Sequence, residues 1–177
     1  MPIEGPDAMR QVAALSELPH CEMQAVIINC STKWVSTLAL LSVLRHARCP
    51  VVLIDCESTD GSREHFRALA RSHDMKVDWL EWPLKPHAEA LDRVFDEIRS
   101  DQTLLVDSDV EVLTPSIVDT LRAALRSDAN AYGAGFLHGP SWMGSERGLH
   151  EHAGYYVERM WIPFTLLSTA IVRRARE

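Results

Sequence analysis

The sequence predicts an α/β fold, a three-layer α/β/α arrangement around a mostly parallel central sheet. Two observations point there. The periodicity switches regularly between short β-branched runs and longer helical patterns. The helical segments between the runs are also long enough to carry parallel crossovers. With 177 residues, 46% of them hydrophobic and 24% charged, the chain has the composition of a globule with a sizeable core. No internal repeat or low-complexity linker divides it. Residues 1–23 read as an N-terminal extension and 24–177 as a single domain, with a first half over 24–126 and a second over 127–177.

"AVIIN" (25–29) reads as a buried strand. "STKWVSTLALLSVLRHA" (31–47) follows as a helix with Val35, Leu38, Leu41 and Leu44 at helical spacing and Ser31 or Thr32 as cap. "VVLID" (51–55) is a second strand, "STDGS" (58–62) a turn, and "SREHFRALARSH" (62–73) a helix with Ser62 as its N-cap. "KVDWLEW" (76–82) alternates as a half-buried strand, and "HAEALDRVFDEIRS" (87–100) sets Leu91, Val94, Phe95 and Ile98 on one helix face. "TLLVD" (103–107) is the next strand, and Thr114-Pro115 opens a turn or helix. "NAYGAGFLH" (130–138) and "RMWIPFTLLSTAIVRR" (159–174) read as strands that complete the sheet. Trp34, Trp79 and Trp82 lie in periodic segments and are assigned to packing.

A formal net charge of −7 argues against a protein that grips nucleic-acid backbones or anionic membrane, since both partners need a basic face. Cys21, Cys30, Cys49 and Cys56 form neither a C-x-x-C pair nor a dense framework and read as reduced thiols. The first twenty residues lack a basic segment followed by an apolar run, and no window is apolar for the ~18 residues that a membrane span needs. No integral membrane segment and a cytoplasmic location are therefore expected.

The chemistry collects at strand ends. "LLVDSDVEVL" (104–113) ends a buried strand on Asp107 and Asp109, two like charges that resist desolvation unless a cation or solvent meets them. Asn29 with Ser31, and Asp55 with Glu57, fall at or just past the ends of two other strands. In a parallel sheet, ligands bind outside the carboxyl ends of the strands. Three such coincidences imply a crevice for a polar, phosphorylated ligand handled with a divalent cation. Hard oxygen ligands suit Mn²⁺ or Mg²⁺, and no cysteine cluster or H-x-x-x-H helix offers a zinc site. His87, at a helix start where the dipole favours anions, is a candidate phosphate contact or a surface residue. Asp60 in "STDGS" either touches ligand or makes the turn. Glu57 touches a base or is simply exposed, and Glu111 reads as solvated.

"AVIINCSTKWVSTLALLSVLRH", "VVLIDCESTDGSREHFRAL" and "LLVDSDVEVLTPSIVDTLRAAL" resemble the nucleotide-sugar segments of GT-A fold glycosyltransferases, most like family 2, over roughly residues 24 to 126. "DCESTDGS" is similar to that family's D-[DN]-x-S-x-D-[GN]-[ST] segment and "DSDVEVL" to its D-x-D segment. The resemblance implies a metal-dependent, inverting transferase that takes sugar from a nucleotide-diphosphate sugar donor to a sugar, lipid or protein acceptor. It places Asp55 on the base and ribose, Asp107 on the ribose or sugar, and Asp109 on the metal, with Ser108 between them. It also implies that Asp107 and Asp109 together form the metal motif, that 24–126 is the donor half and that 127–177 is part of an acceptor half.

The family's catalytic base commonly sits in a Glu-Asp or similar pair beyond the metal motif, and no Glu-Asp pair follows Asp109. Glu151, His152 and Glu158 are the substitutes, with no basis for choosing among them. A domain that binds donor without transferring it is the alternative. The loop with Trp142, Tyr155 and Tyr156 offers aromatic faces to an acceptor sugar. A rival reading starts from the same ten residues, since an apolar strand ending D-x-D also resembles the first motif of haloacid-dehalogenase phosphatases, with Asp107 as nucleophile and Asp109 as acid/base. Against it, three strand–helix units precede the motif here and no Lys follows it.

Overall fold

The computed structural model of the chain describes residues 9–73, 75–138 and 159–176. Seven strands form one sheet: β1 (Met9–Gln11), β2 (Met23–Asn29), β3 (Val51–Cys56), β4 (Val77–Trp82), β5 (Gln102–Asp107), β6 (Gly133–His138) and β7 (Arg159–Ser168). The helices are α1 (Lys33–His46), α2 (Ser62–Ser72), α3 (His87–Glu97), α4 (Pro115–Arg126) and α5 (Thr169–Arg176), with a short 3₁₀ turn at Leu15–Glu17. The strand order is β1-β4-β3-β2-β5-β7-β6. The pairs from β1 to β5 are parallel, while β7 runs antiparallel to both β5 and β6.

Two apolar clusters, one on each face of the sheet, make the three layers. Ala25, Ile27, Leu53, Trp79, Leu104 and Val106 pack under α1, α2 and α4 through Leu40, Val43, Phe66, Val118 and Leu121. The alternate strand residues Val26, Val52, Ile54, Leu80 and Leu105 face the other way, onto Ala90, Val94 and Phe95 of α3 and onto Leu15 and Leu18. This is the period-2 consequence of a pleated strand. A strand covered on both faces has no polar side, and β3 is buried at all six positions.

Four departures from the sequence reading concern the helix faces, the aromatic packing and the bounds of the elements. First, α1 forms where the spacing predicts it but buries a different face: Ser36, Ala39, Leu40, Ser42 and Val43 point inward, while Val35 and Leu38 are exposed. Apolar residues lie on every side of α1, so spacing alone does not select the buried stripe. Second, Trp34 is 70% exposed and meets His65 edge-on at 4.9 Å between ring centroids; Trp79 and Trp82 are buried as expected. Third, the last segment is strand only to Ser168, and Thr169 begins α5. Fourth, Met9–Gln11, within the stretch read as an extension, adds a parallel edge strand to β4. No helix among the described residues is long and apolar enough to cross a membrane, and all four cysteines are free thiols.

Candidate functional site

The strand order reverses at β2, whose neighbours β3 and β5 lie on opposite sides. A parallel sheet opens a crevice at such a switch point, because the connections leave the strand ends in opposite directions. Asp107, the last residue of β5, is in register with Ile28, the penultimate residue of β2. The Val110 amide donates to the Asp107 carbonyl at 3.1 Å, so Asp107-Ser108-Asp109-Val110 is a tight turn holding both carboxylates at the strand end. From α1, the buried Ser42 Oγ accepts the Val112 amide at 2.9 Å and fixes the chain leaving the turn.

A cleft of about 530 Å³ lies here. Asp107, Ser108 and Asp109 form one wall, Lys85, His87 and Ala90 another, and Ile28, Cys30 and Cys56 lie at the strand ends. His87, the first residue of α3, sets its Nε2 4.0 Å from Asp107 Oδ1. Burial pushes the Asp107 carboxyl above its ordinary range; the neighbouring His87 opposes this and the charge of Asp109 adds to it. Asp109 is exposed. The pair offers hard carboxylate oxygens at an open edge, a donor set that a Mn²⁺ or Mg²⁺ ion fits. No group of three His, Cys, Asp or Glu side chains converges among the described residues.

Asp55 and Glu57 line a second recess of about 430 Å³, together with Ser58, Arg63, Glu81 and Trp82. Cys56, between Asp55 and Glu57 in the chain, lines the first cleft instead. The predicted residues are thus divided: His87, Asp107, Ser108 and Asp109 share one recess, and Asp55 and Glu57 the next. Glu57 Oε2 accepts the Leu84 amide at 3.1 Å, which ties the loop after β3 to the loop after β4.

Asn29 faces neither recess as an open group. It is completely buried, its Oδ1 accepts from Thr32 Oγ1 at 2.9 Å and Ser36 Oγ at 2.8 Å, and its Nδ2 meets Asp55 Oδ1 at 2.6 Å, Ser58 Oγ at 2.9 Å and Ser62 Oγ at 3.0 Å. Asn29 therefore holds the ends of β2 and β3 together from behind. Ser31 joins the same two loops in front: its amide donates to Ser58 Oγ at 2.7 Å and its Oγ accepts the Thr59 amide at 3.0 Å. Ser31 and Glu57 both have left-handed backbones, at φ 52° and 50°, a conformation a non-glycine residue adopts only when its surroundings hold it.

Asp60 makes the turn. Its carboxylate accepts the Lys33 amide at 3.0 Å and the Ser62 amide at 3.1 Å, capping α1 and α2 at once. Gly61, with φ 80°, is the N-cap residue of α2, and Ser62 is already helical; the expected Ser62 cap is replaced by Asp60. Lys33 Nζ also donates to the Asp60 carbonyl. Burial works against ionisation of Asp60, but the Ser62 hydroxyl, the two amides and the Lys33 charge outweigh it and hold the carboxyl below its ordinary range.

Lys85, three residues past β4, also lines the cleft, and no motif marks it in the sequence. It stands beyond a strand's carboxyl end, the same rule that selected the other site residues. Trp142, Tyr155, Tyr156, Glu151, His152 and Glu158 lie outside the described residues.

No protein-family model matches the chain, and no curated protein matches it in sequence. Solved structures do. A mannosyltransferase from Pyrobaculum calidifontis, in complex with GDP-Man and Mn²⁺, superposes with a TM-score of 0.68 at 14% identity over 87% of this chain. The fold is GT-A. The galactosyltransferase LgtC, in complex with donor and acceptor sugar analogs, gives 0.63 at 13% identity over 86% of this chain. Glucosyl-3-phosphoglycerate synthase from Mycobacterium tuberculosis, with Mn²⁺, UDP and glucosyl-3-phosphoglycerate, gives 0.60 at 17% over 84%. The alignments span 46%, 60% and 57% of those three chains. At such identities the likeness carries the fold.

Proposed function

We propose that this GT-A chain is a metal-dependent glycosyltransferase of the family 2 type, which binds a nucleoside diphosphate sugar and passes the sugar, with inversion, to an acceptor hydroxyl. The observation that carries this reading is the Asp107-Ser108-Asp109 turn, set at the switch point of the sheet and facing a cleft that also holds His87 and Lys85. In this assignment Asp55, fixed by Asn29 and the Ser58 amide, receives the base and ribose, with Glu57 at the rim. Asp107 takes the ribose or sugar. Asp109 is the metal carboxylate, with Asp107 beside it. Lys85 and His87, at the N-terminus of α3, meet phosphate oxygens. Asn29 and Ser31 act on the donor through the two loops they hold.

A divalent cation bound there would neutralise the charge that grows on the diphosphate as it leaves. The acceptor oxygen bonds to the anomeric carbon. The bond from that carbon to the diphosphate breaks with its electron pair on the nucleoside diphosphate, and the hydroxyl proton passes to a base or to water. Neighbours described with Mn²⁺ and with GDP-Man or UDP support the donor class. Donor binding without transfer is the second reading; residues 110–177 contain no Glu-Asp pair.

The test is thermal unfolding with UDP, GDP and other nucleoside diphosphates, with and without Mn²⁺. A ligand held only by the native state stabilises it by mass action, ~2.7 kcal/mol at a hundredfold excess over Kd. A Mn²⁺-dependent shift for one nucleotide supports the donor site and names the base; no shift with any nucleotide defeats it. Hydrolysis or transfer of the matching sugar nucleotide then separates enzyme from binding domain.

A further inference from the structure

A third cavity, of about 390 Å³, begins at Asp109 and runs along the chain that leaves the turn. Asp109 lines both this cavity and the cleft, so the two share a wall at the metal carboxylate. Its character is opposite to that of the cleft. Val112 and Phe164 are core residues, Ile117 is half-buried against the same core, and the rim carries Leu113, 77% exposed, and Phe136, 47% exposed. Among the described residues that line it, the carboxylate besides Asp109 is the exposed Glu111. Two large apolar side chains left in water at the mouth of an apolar cavity are unfavourable without an occupant. A concave apolar site of a few hundred cubic ångströms with one polar end is the usual form of a small-molecule site.

We propose that this cavity binds the apolar portion of the acceptor, an alkyl or aryl group seated between Ile117, Phe136 and Phe164 with its hydroxyl at the Asp109 end. The acceptor role rests on the donor-site reading above; occupancy of the cavity by an apolar group does not, and it is measurable alone.

The experiment is equilibrium binding to the purified chain, by calorimetry or ligand-observed NMR, of two series of neutral alcohols: 1-alkanols from butanol to octanol, and phenylalkanols. Burial of each methylene is expected to tighten binding about fourfold until the cavity is full. The longer series to keep gaining distinguishes an alkyl from an aryl occupant. Phe136→Glu and Leu113→Glu, both at exposed positions that leave the core intact, should each weaken the longest alcohol by tenfold or more. Absence of saturable binding, affinity independent of chain length, or binding unaffected by both substitutions overturns the proposal. The nucleotide and Mn²⁺ melting shift of the unsubstituted chain is run in parallel. Its loss with alcohol binding retained removes the donor reading and upholds the cavity; its presence without alcohol binding does the reverse.

Discussion

Asn29 Nδ2 lies 2.6 Å from Asp55 Oδ1, joining the last residue of β2 to the fifth of β3 across a pair already in register. Both side chains are buried, so the amide supplies a hydrogen bond to an Asp55 oxygen that is largely withdrawn from water. Asn29→Leu removes the hydrogen bonds made to Asp55, Ser58, Thr32, Ser36 and Ser62. It is expected to cost about 3 kcal/mol or more in urea unfolding, since each buried polar group left unpaired costs ~1–3 kcal/mol. A change under about 1 kcal/mol would show that water replaces the amide.

Asp109 is exposed and, among the described residues, its side chain makes no hydrogen bond or ion pair that its removal would break. Asp109→Ala should leave the urea midpoint of the ligand-free chain unchanged and abolish the Mn²⁺-dependent part of nucleotide stabilisation. Retained metal dependence in the variant would take Asp109 out of the metal site.

Asp107 carries a raised pKa, first from burial. A carboxyl that binds its proton more tightly in the folded chain contributes stability below its unfolded value, and that contribution is lost as pH rises through the folded value. Asp107→Asn should therefore stabilise the ligand-free chain at pH 7 relative to the parent, and the advantage should vanish as pH falls below the ordinary 3.8. Denaturant melts across pH 3 to 8 measure it; a gain that persists at pH 3 would point to a cause other than ionisation. With Mn²⁺ and nucleotide present the order should reverse.

Asp60 behaves oppositely. Its lowered pKa means that its contribution is present above the ordinary carboxylate value and disappears as pH falls through the folded one. Asp60→Ala uncaps α1 and α2 together and should cost roughly 2 kcal/mol at pH 7 at about 1 kcal/mol per cap. Asp60→Asn, which keeps an acceptor oxygen, should recover part of that. An equal loss in both variants would assign the effect to charge and not to capping.

Glu57 and Leu84 link two loops through one hydrogen bond. Glu57→Ala should lower nucleotide affinity severalfold while costing ~1 kcal/mol or less of stability, because the bond is exposed. Titration of the nucleotide found by the melting screen checks it; unchanged affinity would leave Glu57 as a surface residue.

The sequence by itself determined the layers and the edge where chemistry gathers. The apolar runs of β2, β3 and β5 are local features, the acids at 55 and 107 follow directly on them with 109 two residues further on, and so strand ends and candidate ligands were legible together. What the tertiary structure decided depends on residues far apart in the chain. α1 is apolar all round, and only packing on β2, β3 and β5 selected Leu40 and Val43 over Val35 and Leu38 as its buried face. Whether Asn29 met a ligand or Asp55, whether Asp60 capped one helix or two, and that Phe136 would stand across a cavity from Ile117 were settled by contacts that close only when the sheet forms. A local pattern specifies where a strand runs and where it ends, but it carries no information about which distant side chain completes a hydrogen bond or leaves a space unfilled.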